Sequence, residues 1–202
     1  MPGTGWGGTH WAAVSTVRPF TASDAPAVAA VQVGNYHYDY APLFPPGSWD
    51  GVSVEEQTAD WLLWPRDHPD DVLLVAEDAG EVVGYVLARV HPYHGAEAEV
   101  MALHVRPQAR GCGHGRALLS AAVSVLGAAG AGSVGLSTLE GNPIRAWYAA
   151  LGGEQVAVQE NDLDGWPVRE VVYVWPDVEA LRQALAGAEF SARSGTIQPD
   201  CP

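Results

Sequence analysis

Two periodicities alternate along the chain. Between residues 71 and 105, apolar side chains come in short runs separated by turn residues. DVLLVAE (71–77) is followed by Asp78-Ala79-Gly80, then EVVGYVLARV (81–90), a second turn at 91–95, and EAEVMALHV (97–105). That pattern predicts a hairpin and a third strand. After a glycine-rich loop the period lengthens. Leu118, Leu119, Ala122, Val125 and Leu126 fall on one face of a helix expected over 113–130. A strand at 133–138 and a short helix at 142–151, stopped by Gly152-Gly153, come next. Strands at about 154–159 and 168–175 follow, then a helix capped by Asp177 and running to about Ala188. Upstream, a strand at 14–18 precedes a helix capped by Ser23 or Asp24 and reaching about Tyr36, with Ala27, Val28, Val31 and Val33 available for burial. A second helix, 53–64, opens with the capping-box spacing Ser53-Val54-Glu55-Glu56 and is expected to end at Pro65. Strands followed by mixed strand–helix units predict an α+β (mixed α/β) domain over residues 14–188, with flexible tails at 1–13 and 189–202.

Composition narrows the class. A chain of 202 residues that is 48% hydrophobic can bury a sizeable core, which excludes a disordered or fibrous protein. No apolar run approaches the roughly 20 residues that span a bilayer. The start, MPGTGWGGTHW, has neither the basic residues nor the apolar stretch of a signal peptide, so a cytoplasmic location is expected and no membrane partner. Cys112 and Cys201 are too few and too far apart for a disulfide framework or zinc cluster, and no metal is expected. Ten bases, all arginine, against 24 acids give a net charge of −14. Such a surface repels phosphate backbones, so no nucleic-acid partner is expected, and it suits a cationic small molecule.

Against that acidity stands one basic loop. After the strand ending at Val105 come Arg106-Pro107-Gln108-Ala109-Arg110-Gly111-Cys112-Gly113-His114-Gly115-Arg116, and a helix begins at once. Alternate glycines allow tight turning and leave backbone N–H groups open, while the first helical turn adds unpaired donors and the positive end of the helix dipole. Together they suit a phosphate. The alternative is that the glycines let helix and strand pack closely. Gly-x-Gly-x-x-Gly fails because position 116 is Arg, and the P-loop form fails because the chain has no lysine.

These residues resemble the GNAT superfamily of N-acetyltransferases. Its (Arg/Gln)-x-x-Gly-x-(Gly/Ala) pattern is met by Arg110-x-x-Gly113-x-Gly115, behind the strand end Leu103-His104-Val105-Arg106-Pro107. The segment Asn142-Pro143-Ile144-Arg145-Ala146-Trp147-Tyr148, with Gly152, is similar to the family's later Asn, Ala, Tyr and Gly-Phe segment, although Gly153 stands where Phe is usual. His114 likewise replaces a usual aliphatic. The resemblance covers about residues 14–175 and implies a twisted, largely antiparallel central sheet flanked by helices. It further implies an acetyl-CoA site. Backbone groups of Gly111, Cys112, Gly113, His114 and Gly115, with Arg110, Arg116 and Arg145, would hold the pyrophosphate. Leu103, His104 and Val105 would pair with the pantetheine arm, with Asn142 beside it. Tyr148 would protonate the departing thiolate.

The acceptor amine must lose a proton before it attacks. Glu99, six residues before Val105, stands where some family members keep a catalytic glutamate. Strand alternation puts Glu97, Met101 and Leu103 on the same face. His104 is the lesser candidate base, and water chains serve in other members. Between residues 39 and 71 lie eight carboxylates and one base, Arg66, close to Tyr36, Tyr40 and Trp61. Carboxylates with aromatic faces suit a cationic amine, a small molecule or a peptide, with Tyr36, Tyr40, Trp61 and Glu97 as contacts. The reading is therefore acetyl transfer to a primary amine by direct attack in a ternary complex. The alternative is an acyl-CoA-binding sensor or interaction protein of the same fold. A homodimer is an expectation from family habit alone.

Overall fold

The computed structural model describes residues 16–163 and 165–194. The expected tail at 1–13, and the chain beyond 194, lie outside the described residues. Seven strands form one sheet: β1 (Thr16–Pro19), β2 (Val72–Asp78), β3 (Glu81–Arg89), β4 (Ala98–Val105), β5 (Val134–Leu139), β6 (Glu154–Leu163) and β7 (Trp166–Trp175). Their spatial order is β1-β2-β3-β4-β5-β7-β6. Every pairing is antiparallel except β4 with β5. The helices are α1 (Ala25–Asn35), α2 (Val54–Asp67), α3 (His114–Ala128), α4 (Arg145–Ala150) and α5 (Val178–Ser194).

Each face of the sheet carries its own core. On one, α3 and α5 press Leu118, Leu119, Leu126, Leu181 and Leu185 against Val86, Val100, Leu136 and Val171. Burying each such leucine contributes roughly 1.5–3 kcal/mol. On the other, α1 and α2 bring Val28, Val31 and Trp61 onto Val75, Tyr85 and Leu87. Val125 departs from the expected α3 face. It is 43% exposed, and Val123 is buried instead, because α3 leans on both the sheet and α5.

Helix ends follow local chemistry. Ser53 Oγ accepts the Glu56 N–H, the first bond of the expected capping box, while the Glu56 carboxylate accepts from the Ser53 hydroxyl. Pro65 does not end α2, which continues to Asp67. The ring removes a single i→i−4 bond, from position 65 to the Trp61 carbonyl, and the helix resumes with His68 N–H donating to Trp64 C=O at 2.8 Å. At α1 the cap expected at Ser23 or Asp24 shifts upstream. A 3-10 turn (Ala22–Asp24) leads in, and Asp24 reaches back to the Thr21 N–H at 2.8 Å. α5 runs six residues beyond its expected end near Ala188.

Two irregularities open the sheet. Leu87 pairs with Ala102 and Ala88 with Val100, so Met101 is an extra residue, a β-bulge. The parallel pairing of β4 with β5 stops after Ala98–Val134 and Glu99–Gly135. Beyond Glu99 the two strands part, and the edge of β4 from Val100 to Val105 faces a cleft.

Candidate active site

That cleft is the vertex of a cavity of about 1120 Å³. Its walls are β4 from Val100 to Val105, β5 from Leu136 to Leu139, the glycine loop, the start of α4, and the segment from α1 to α2.

Gly111 and Gly113 have φ of +81° and +88°, the left-handed region that disfavours a side chain. A Cβ at either would meet nothing of the protein within 4 Å, and one at Gly115 only Val105 at 3.7 Å. Close packing of helix on strand therefore does not explain these glycines. The backbone is bared toward the cavity instead. The first bond of α3 runs from Ala117 N–H to Gly113 C=O, leaving the N–H groups of His114, Gly115 and Arg116 ahead of it. Those donors, with the helix dipole, are the chemistry of a phosphate cradle.

The arginines of this region each have protein partners, and Arg110 and Arg116 also line the cavity. Arg106 pairs with Glu81 at 3.1 Å. Arg116 lines the cavity but donates to the carbonyls of Ala184 and Leu185. Arg145 is outside the cavity lining and donates to Glu140 C=O at 2.7 Å. Arg110 holds Asp39 through two bonds of 2.8 and 2.6 Å, and Asn35 Oδ1 at 2.6 Å. Asn142 lines the cavity, where its Oδ1 accepts from Ile144 N–H and starts the turn into α4.

The Arg110 contacts propagate. Arginine has only donors, so Asn35 must turn its oxygen to it. Asn35 Nδ2 then donates to His104 Nδ1 at 3.1 Å, leaving the ring hydrogen on Nε2. Removal from water is the main cause that pushes His104 down to about 4, with the Arg110 charge also lowering it and Asp39 opposing. A neutral ring with its lone pair already used is a poor base. Asn35 is fully buried, and the sequence reading missed it.

Tyr148, on α4, is 6% exposed and lines the cavity. Burial holds its hydroxyl well above the ordinary tyrosine range, so it stays protonated. The aromatic lost at Gly153 is made good from β7. Trp175 lies against Gly153, where a Cβ would come within 2.7 Å of the indole, and its Nε1 donates to Leu151 C=O at 3.0 Å.

Glu99 does not reach the cavity lining. It sits at the last β4–β5 pair, at the closed end of the cleft, and its Oε2 accepts from Arg89 at 2.8 and 3.0 Å. Glu97 is also elsewhere, accepting from Gly132 N–H at 2.6 Å. The shared face expected for Glu97, Glu99, Met101 and Leu103 breaks at the bulge. Met101 joins the α1–α2 core and Leu103 the other. Leu103, His104 and Val105 all line the cavity, as do Tyr36, Tyr40 and Trp61. Tyr36 and Tyr40 stack at 5.4 Å in a π-helical turn (Tyr36–Tyr40) that continues α1. Trp61 is fixed by a 2.6 Å bond to Gln32. Burial is the main cause that raises the Tyr40 hydroxyl, with the carboxylates of Asp39 and Glu170 adding to it. Glu170, on β7, also lines the cavity, and the sequence reading did not single it out.

A splayed sheet with a glycine cradle at the start of a helix and a buried tyrosine over the gap defines an acyl-transfer fold. Residues 36–152 match the model of the Acetyltransferase (GNAT) family, so the chain belongs to that family and is an acyltransferase that uses acetyl-CoA. Over 174 residues it is 26% identical to the uncharacterized N-acetyltransferase YuaI of Bacillus subtilis, covering 84% of this chain and 98% of that one. Among solved structures it is similar in fold to a GCN5-related N-acetyltransferase from Rhodopseudomonas palustris, with TM-score 0.65 and 17% identity over 83% of this chain and 98% of the other. It is also similar to yncA of Salmonella typhimurium, a putative acetyltransferase solved with acetyl-CoA, with TM-score 0.56 and 21% identity over 80% and 92% of the two chains. No described helix is long and apolar enough to cross a membrane.

Proposed function

We propose that this protein acetylates a primary amine on a cationic small molecule or peptide in the cytoplasm, by direct attack within a ternary complex. The observation that carries the reading is the cradle. Gly111 and Gly113 hold a left-handed backbone open toward a cavity where no protein atom needs the space. Acetyl-CoA supplies an acetyl group activated as a thioester. The N–H groups of Gly111 to Arg116 suit its pyrophosphate, and the unpaired edge of β4 from Val100 to Val105 suits the amides of its arm. Tyr148 faces the same gap and is the proton donor to the departing sulfur. Its high pKa keeps that proton in place until the thiolate forms.

The acceptor side supports a cation. Tyr36, Tyr40, Trp61 and Trp64 offer ring faces, while Asp60, Asp67 and Glu170 add negative charge. The test begins with thermal stability of the full chain titrated with acetyl-CoA, against ATP as control. A ligand at a hundredfold excess over its Kd stabilises by about 2.7 kcal/mol. A saturable rise with acetyl-CoA alone is expected, followed by CoA release with amines in a panel. Tyr148→Phe is expected to keep the thermal response while losing about 10²–10⁴-fold in turnover. Activity confined to neutral or acidic acceptors would sink the cationic assignment. Binding with no turnover of any amine would make the protein an acyl-CoA sensor.

A further inference from the structure

Four carboxylates line the cavity: Asp39, Asp60, Asp67 and Glu170. Three are poorly placed to take a proton. Asp39 is committed to Arg110. Asp67 is committed to Arg66 on the outer surface, and Asp60 is exposed on α2. Glu170 is half-buried, and among the described residues no ion pair engages it. Resting on the amine-acetylation reading above, we propose that Glu170, rather than Glu99, binds the acceptor ammonium and takes its proton.

Strand pairing builds this position. Glu170 lies between Leu139 of β5 and Gln159 of β6. Val171 and Tyr173 belong to the core under α3, so Glu170 points to the opposite face of the sheet, the face of α1 and α2. There its Oε2 accepts from Gln159 Nε2 at 2.9 Å and from Asn161 Nδ2 at 3.2 Å. Two amide donors fix the carboxylate and leave Oε1 for a ligand. They also contribute no positive charge that would repel an ammonium ion. Gln159 is itself held by His94 at 2.8 Å and Tyr93 at 3.5 Å. The titratable groups around Glu170 are Tyr40, from the turn after α1, and Tyr93, from the β3–β4 loop, with His94 of that loop held to Gln159. Glu170, Tyr40 and Tyr148 line the same cavity.

The step balances. An N–H bond of the ammonium breaks and its proton passes to Glu170 Oε1. The freed lone pair forms the C–N bond at the acetyl carbonyl carbon. The C–S bond then breaks with its electrons on sulfur, which takes the Tyr148 hydroxyl proton. The product nitrogen returns its surplus proton to the phenolate, and Glu170 releases its own to solvent.

The experiment compares the full-length wild type with E170Q, E170A and E99Q, using acetyl-CoA with spermidine, tryptamine and an alanine-initiated peptide. E170Q is expected to keep its thermal response to acetyl-CoA and lose about 10²–10⁴-fold in kcat/KM. Its rate should climb tenfold per pH unit up to the amine's own pKa, whereas the wild type should level off at lower pH. Formate should restore part of the activity of E170A, an outcome that a merely structural role would not give. Wild-type turnover in E170Q, or a loss carried by E99Q instead, overturns the proposal while leaving the acetyltransferase reading intact. A wild type that binds acetyl-CoA but acetylates none of the three amines overturns both.

Discussion

His104 links the two sides of the cavity through its protonation state. Its ring sits 5.3 Å from Tyr85 and 6.3 Å from Tyr40, with Nδ1 accepting from Asn35. Protonation would remove that lone pair and oppose a donor to a donor. The pKa, about 4 in the folded protein, lies below the ordinary 6.5, so the unfolded chain binds the extra proton first. Stability is therefore complete above about pH 6.5 and declines as pH falls through that value toward 4. A loss of about 2 kcal/mol is expected, less than full linkage because the ring is not wholly out of water. Asp24 acts in a different window. The Arg18 bonds hold it down to about 2 against 3.8, so its contribution is lost only as pH falls below about 4. Urea unfolding at stepped pH should resolve both limbs. H104Q, which keeps an acceptor for Asn35, should flatten the upper limb alone.

The strand-loop-helix unit from β4 to α3 combines a backbone requirement with a binding one. Gly113 adopts φ +88° immediately before α3. Gly113→Ala should cost about 1–2 kcal/mol in stability for the left-handed backbone. The added methyl meets no protein atom, so a further effect must come from ligand. At least a tenfold loss of acetyl-CoA affinity is expected by calorimetry, and unchanged affinity would refute the cradle. This unit was legible in sequence because its glycines, strand end and helix start are contiguous. The roles of its arginines were not. Glu81, Asp39 and the carbonyls of α5 that occupy them come from elements 25 to 71 residues away.

Across the molecule, the Arg110–Asp39 pair ties the donor loop to the acceptor wall. The two residues are 71 apart in sequence, and Asn35 and His104 extend the link to β4. R110M and D39N should each raise the KM for amine and weaken acetyl-CoA binding. The double variant should be less impaired than the sum of the singles, by about 0.5–3 kcal/mol, since both remove one interaction. Strict additivity in a double-mutant cycle would mean that the pair carries no coupling.

The sequence by itself determined the order of strands and helices, the glycine cradle and the tyrosine of α4. Each is written in neighbouring residues, through a two- or 3.6-residue period or a fixed motif spacing. Tertiary structure alone decided which carboxylate faces the cavity. The family resemblance nominated Glu99, but pairing with β5 persists through that residue and Arg89 claims its oxygen. Glu170 carries no local signal. It reaches the site because β7 pairs with β5 and β6 at once, a juxtaposition of strands that no short stretch of sequence contains.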